Sequence, residues 1–233
     1  MNETNYPQVD GDRVTWVSAA DMIEVDRIMM EDLGIGLIQM MENAGRNLAR
    51  LVLDLLQPST VAVAVGPGGN GGGGLVAARH LSNAGVDVAV TTTRPADRMA
   101  TVTARQLATI ERMGIRRSDR LETADVVVDA VLGYSLDGTP RGAEAEVIRQ
   151  AARAGSVVSL DTPSGLDVST GRALGVVVSA AATLTIALPK LGLRSASQVG
   201  QLYLADISVP PGVSARFGGE PPDFRASPIL RLA

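Results

Sequence analysis

Thr60-Val61-Ala62-Val63-Ala64-Val65-Gly66-Pro67-Gly68-Gly69-Asn70-Gly71-Gly72-Gly73-Gly74 opens as an apolar, β-branched run and ends in a cluster of glycines. Leu75-Val76-Ala77-Ala78-Arg79-His80-Leu81 follows directly. Thr60–Val65 reads as a buried strand, Gly66–Gly74 as a loop, and Gly74–Ala84 as a helix. Glycine lets a backbone approach an anion closely, and the first amides and dipole of the next helix favour negative charge. The segment therefore predicts a nucleotide-like ligand seated on the glycine loop, although a merely flexible turn would also use glycine. Gly66, Gly68 and Gly71 spell a dinucleotide fingerprint, but the next strand ends in Thr91-Thr92-Thr93-Arg94, with no acid to hold a ribose. No Gly-Lys-Ser/Thr follows the glycines, which disfavours a phosphate-loop NTPase.

The same alternation continues outward. Val86–Thr91, Val126–Val131, Ser156–Leu160 and Thr183–Leu188 read as buried strands. Met99–Met113 and Ala143–Ala154 read as the helices between them. Strands alternating with helices of that length indicate βαβ units and a mostly parallel sheet. Gln201–Val209 is expected to add an edge strand. Upstream, Ser18 placed three residues before Asp21 marks the start of a helix reaching Leu33, which Gly34 and Gly36 break. Leu37, Met41, Ala44, Leu48, Leu51 and Leu55 then recur along one face of a second helix, stopped by Pro58. Residues 1–12 are expected to be a disordered lead-in, 13–211 a single domain, and 212–233 an irregular tail rich in proline.

Hydrophobic residues make up 45% of the 233 but aromatics only 3%, so the core must come from Ala, Val, Leu, Ile and Met. Such side chains suit parallel strands under helices. A net charge of −4 lacks the basic excess of a general nucleic-acid binder. The absence of cysteine and the single histidine, His80, exclude thiolate and multi-histidine zinc sites. No run approaches the roughly 20 apolar residues of a membrane span. The polar, acidic start lacks the pattern of a secretion signal, so a cytoplasmic location is expected.

Ligands of an open parallel sheet bind beyond the carboxyl ends of its strands. Four such ends carry unusual residues. Asp129 lies inside an apolar strand, where a carboxylate needs a partner, a hydrogen bond or a cation. With Asn70 and Ser164 it could offer three hard oxygens to an alkali or alkaline-earth ion, and a structural cap is the plain alternative. Asp161, in Leu160-Asp161-Thr162-Pro163-Ser164-Gly165-Leu166-Asp167, stands where it could transfer a proton or bind a ribose or amide. Lys190, after Ala187-Leu188-Pro189, would reach the same pocket unless it is simply an exposed lysine. Trp16 reads as an anchor of the N-terminal segment, and Met29, Met30, Met40 and Met41 as core filling. His80 reads as facing solvent or a groove.

Met41-Glu42-Asn43-Ala44-Gly45, the glycine segment through Leu81, Val128-Asp129-Ala130-Val131-Leu132-Gly133, Leu160–Asp167, Pro189-Lys190 and Asp206-Ile207-Ser208-Val209-Pro210 occur in one order. Together they resemble the YjeF N-terminal domain family, the NAD(P)HX epimerases, over roughly Ser18 to Pro211. The resemblance implies a three-layer α/β/α Rossmann-like sandwich with a mostly parallel central sheet, often homodimeric. It implies interconversion of the R and S hydrates of damaged NADH and NADPH, so that a separate NAD(P)HX dehydratase can repair them. It places a potassium ion on Asn70, Asp129 and Ser164. It places the dinucleotide against Gly69, Asn70, Gly71, Gly72, Gly73, then Gly133, Tyr134, Ser135, Leu136, Asp137, Gly138, Thr139, and Asp161. Asp161 is the expected acid/base, and Lys190 its electrostatic support. One departure stands out: Gly73 takes the place of the family's usual loop aspartate. A nucleotide-binding or scaffold domain without turnover is therefore the second reading. Near Thr183, Ala182 likewise replaces an acid that many relatives carry.

Overall fold

The computed structural model describes residue 2 and residues 4–233. Among the described residues the chain forms one nine-stranded sheet with helices on both faces. Its strands are β1 Gln8–Val9, β2 Thr60–Val65, β3 Asp87–Thr92, β4 Arg116–Arg117, β5 Val126–Ala130, β6 Val157–Leu160, β7 Ala182–Ile186, β8 Gln201–Ala205 and β9 Ile229–Leu232. The order across the sheet is β1-β9-β8-β7-β6-β5-β2-β3-β4, and every pairing is parallel except β8 with β9.

Successive side chains of a strand point to opposite faces, and that alternation sorts the core into two layers. Val61, Val63, Val65, Val126 and Val128 pack with Leu48, Leu51 and Leu55 of α2 (Leu37–Leu56), Leu75 and Leu81 of α3 (Gly69–Asn83), and Leu107 and Ile110 of α4 (Thr101–Arg112). Ala62, Ala64 and Val127 pack on the other face with Val147, Ile148 and Ala151 of α5 (Gly142–Ala151). The three-layer α/β/α arrangement expected from the family resemblance is the one observed. From β2 the chain winds outward to β3 and β4, then returns to β5 on the other side of β2. Outside the carboxyl ends of β2 and β5 the sheet therefore has a topological switch point, where the two connections diverge and leave a crevice.

Several boundaries differ from the sequence reading. The glycine run is mostly helix: only Gly66–Gly68 form the turn, and α3 begins at Gly69. Close packing makes this possible, since a Cβ at Gly71 would collide with the backbone carbonyl of Gly66. The lead-in and tail, expected to lack structure, supply β1 and β9, which pair with each other in parallel. β9 buries Ile229, Leu230 and Leu232, an apolar segment screened in the sequence by three nearby prolines. At the other end, α1 (Ala19–Arg27) is opened by a reciprocal cap in which Ser18 accepts from the Asp21 amide and the Ser18 amide donates to Asp21. The chain then widens by one residue per turn over Ile28–Asp32, marked by the Leu33 amide reaching the Ile28 carbonyl at 3.0 Å. Of the four methionines expected in the core, Met30 is 41% exposed, at the rim of a cavity. Trp16 anchors the N-terminal segment as expected, donating from Nε1 to the Gly11 carbonyl at 2.6 Å.

Candidate active site

A cavity of about 410 Å³ opens at the switch point, within the size range of small-molecule sites. Its floor is the glycine turn and the start of α3, from Pro67 to Asn70, with Gly73 one turn further on. One wall is Val131–Leu136, which follows β5, and another is Leu160 and Asp161 at the end of β6. Met22, Asp26 and Met30 of the N-terminal helical segment close it from above, with Met40, Met41 and Ala44 of α2. It is mostly apolar with a few converging polar groups, the usual make-up of a ligand site.

Asp161 is held by its own backbone and by both of its carboxylate oxygens. Its φ of +67° and the Thr162 amide bonded back to the Leu160 carbonyl at 2.8 Å form a γ-turn of the rare positive-φ kind. Asp tolerates that conformation better than most residues, and the turn aims the side chain at the cavity. Oδ2 accepts the Tyr134 amide at 2.9 Å, and Oδ1 accepts Lys190 Nζ in a buried ion pair. Lys190 also donates to the Ile186 carbonyl at 2.8 Å and to Thr185 Oγ1 at 3.2 Å, so all three of its protons have acceptors. A second positive-φ residue, Ala187 at +62°, bends the chain after β7 so that the ammonium can return beneath Ile186. Lys190 has no exposed surface and does not line the cavity; it supports Asp161 from behind. The exposed-lysine alternative is thereby excluded.

The three oxygen-bearing residues proposed for a cation are arranged unequally. Asp129 points to the α5 face in register with Ser159. Its Oδ2 accepts Ser159 Oγ at 2.9 Å and the Ser164 amide at 2.8 Å, and its Oδ1 accepts Ser164 Oγ at 2.6 Å. Burial raises its carboxyl above the ordinary aspartate value, and the hydrogen bonds from Ser164 and Ser159 offset part of that shift. Ser164 Oγ also accepts the Leu132 amide at 2.9 Å. Asn70 lies against the next residue, Gly133: a Cβ there would stand 3.4 Å from Asn70 Cβ and 3.0 Å from Asp161 Oδ2. Both polar atoms of the Asn70 amide are buried without a hydrogen-bond partner. An unpaired buried amide is costly. An amide oxygen, a carboxylate and a hydroxyl are the kinds of oxygen donor that hard cations take. Among the described residues no cluster of three His, Cys, Asp or Glu side chains is placed to hold a metal.

Of the residues assigned to a dinucleotide, Gly69, Asn70, Gly73, Gly133, Tyr134, Ser135, Leu136 and Asp161 line this cavity. Gly71 and Gly72 are instead buried in helix packing, Gly72 beneath Met41. Asp137, Gly138 and Thr139 line an adjoining groove with Arg94, Arg141 and Glu144, which shares Leu132, Ser135 and Leu136 with the main cavity. Where the family's aspartate would stand, a Cβ on Gly73 would come within 2.7 Å of Leu160 Cδ2, so a larger residue requires that side chain to move. One group was missed, Asp26, which reads as one more acid on an amphipathic helix; Tyr134 was expected against the dinucleotide, but its link to Asp26 was not. Tyr134 Oη donates to Asp26 Oδ2 at 2.6 Å, and its ring centre lies 5.9 Å from Lys190 Nζ. A signal for Lys190 was present: it is the chain's single lysine, while every other side-chain cation of this type is arginine.

The family model for the YjeF-related protein N-terminus matches residues 37–192. The chain belongs to this family. It is 45% identical, over 91% of its own length and 90% of the relative's, to the NAD(P)H-hydrate epimerase of Dehalogenimonas lykanthroporepellens. It is 36% identical to that of Truepera radiovictrix, covering 88% of this chain and 95% of the relative. The bifunctional NAD(P)H-hydrate repair enzyme Nnr of Thermofilum pendens matches at 40% over 80% of this chain, which spans 38% of that longer protein. In architecture the family member described here is similar to the crystal structure of the yeast protein YNL200c. The TM-score is 0.82 at 24% identity, with 94% of this chain and 100% of the other covered.

Proposed function

We propose that this protein is an isomerase that interconverts the R and S hydrates of NADH and NADPH. The observation that carries the reading is the convergence, at the switch point, of the α3 N-terminus, the segment after β5 and the buried Asp161–Lys190 pair. This convergence belongs to a chain 45% identical to an epimerase of nearly the same length. Inverting the hydroxyl-bearing carbon requires the hydroxyl to leave and return, or the ring to open and close. Either route needs a proton acceptor and donor beside the ring. Asp161 reaches the cavity and serves as acid/base, while Lys190 holds its carboxylate in place. The amides at the start of α3 receive the pyrophosphate.

A potassium ion on Asn70, Asp129 and Ser164 is part of the proposal, supported by the unpartnered Asn70 amide and the buried Asp129 carboxylate. Held there, it would supply fixed positive charge to the site. Asn70 would then gain a partner for its buried amide oxygen at the floor of the cavity.

The test is to supply purified protein with R-NADHX and follow formation of S-NADHX. Acceleration over the spontaneous rate is the expected result. Gly73 favours the second reading, a binding domain without turnover. Ligand binding without acceleration, together with activity gained in Gly73→Asp, would establish that reading instead.

A further inference from the structure

We propose that Asp26 is the second catalytic carboxyl of this site, acting as proton donor to the departing hydroxyl, with Tyr134 as its positioning residue. The inference rests on the epimerase reading and adds to it the group that Asp161 cannot supply alone.

Asp26 and Asp161 both line the cavity, on different elements, and Tyr134 spans the distance between them. Its amide bonds Asp161 and its hydroxyl bonds Asp26, so the two carboxyls are held apart by the length of one tyrosine. Their surroundings are opposite in character. Asp161 is ion-paired to Lys190 and receives a backbone amide. Among the described residues no cation is bonded to Asp26, which accepts from a neutral phenol. Burial raises its carboxyl above the ordinary aspartate value; the Tyr134 hydrogen bond and the more distant Lys190 lower it, and Asp161 raises it. On its own helix, Arg27 is turned to Glu24 and Asp32. One carboxyl held in a buried ion pair and another facing only a neutral hydroxyl are placed as the base and the acid of such a site.

The step balances as follows. Asp26 gives its proton to the ring hydroxyl, and the carbon–oxygen bond breaks with its electron pair leaving on water. The lone pair of the ring nitrogen fills the vacancy, giving a carbon–nitrogen double bond. Water adds to the opposite face and loses a proton to Asp161, as the nitrogen recovers its pair. Exchange with solvent returns both carboxyls to their starting states, and the reverse turnover exchanges their roles.

The experiment measures epimerisation of R-NADHX against pH, with binding of S-NADHX measured in parallel. For the intact protein the rate is expected to fall as pH rises and Asp26 loses its proton. Asp26→Asn is expected to lower kcat about 10²-fold or more, the scale of a lost general acid. Affinity should stay within about threefold, and Asp26→Glu should recover part of the rate. Tyr134→Phe removes the hydrogen bond that favours the ionised form, so the alkaline fall should move to higher pH. An active wild-type protein whose Asp26→Asn and Tyr134→Phe variants keep its rate and pH profile would overturn the assignment. An inactive wild-type protein would overturn the epimerase reading itself, a distinct result.

Discussion

Asp161 and Lys190 show how tightly one side chain can fix another. Both are buried, and among the described residues Lys190 is ion-paired to Asp161 alone. Lys190→Met should therefore leave an unpaired carboxylate in the interior, a change that typically costs about 3–5 kcal/mol. Urea unfolding of the variant is expected to show a loss of that size, together with loss of epimerisation. Asp129 makes a different case, since its oxygens already accept three firm hydrogen bonds. Asp129→Asn should place amide protons against those donors and abolish any stabilisation of the protein by potassium over sodium, read by thermal unfolding in each salt. At this scale the sequence revealed the chemical types and little of their arrangement. Asp161, Asp129 and Lys190 were recognisable because they sit at or in apolar strand ends. Asp26 was not, because an acid on an amphipathic helix has the same pattern whether it meets water or a tyrosine hydroxyl.

Between α2 and α3 the packing is unusually close. A Cβ on Gly45 would fall against Val76 and the carbonyl of Gly73. Gly45→Ala should thus force the helices apart at the cavity floor. A loss of about 1–3 kcal/mol, the usual scale of overpacking, is expected in denaturant unfolding. The same two helices are joined at the surface by Glu42, which accepts Arg79 and lies 2.8 Å from His80 Nε2, so His80 is not turned only to solvent. Burial pushes the Glu42 carboxyl up, but Arg79 and His80 outweigh it and hold it below the ordinary value. A carboxylate depressed in the folded state stabilises the protein above its unfolded value, and that contribution disappears as pH falls through the lower folded value. Stability measured between pH 6 and pH 3 is expected to decline less steeply in Glu42→Gln. Periodicity exposed α2 and its apolar face. It could not reveal the start of α3, because glycine reads as a breaker until its neighbours are known to leave no room for a Cβ.

Across the whole molecule, strand β9 closes the sheet beyond β8 and seats β1 on its far side. Removing residues 218–233 should leave β8 as an open edge, a template for pairing with other chains. Self-association beyond that of the full chain, seen by light scattering, is the expected outcome. The central strands were legible because each is a β-branched run between turns, and their alternation with helices implied the parallel order. β1 and β9 were not, since a two-residue strand carries no pattern and the prolines before β9 disguise its apolar run. The switch point between β2 and β5 unites these levels, because it brings the glycine turn, the segment after β5 and Asp161 to one cavity. The most direct measurement is the rate at which R-NADHX becomes S-NADHX with purified protein in potassium buffer, beside an Asp161→Asn variant shown to be folded. Acceleration by the native chain and its loss in the variant are expected. A native rate no faster than the spontaneous one, with the ligand still bound, would contradict the assignment.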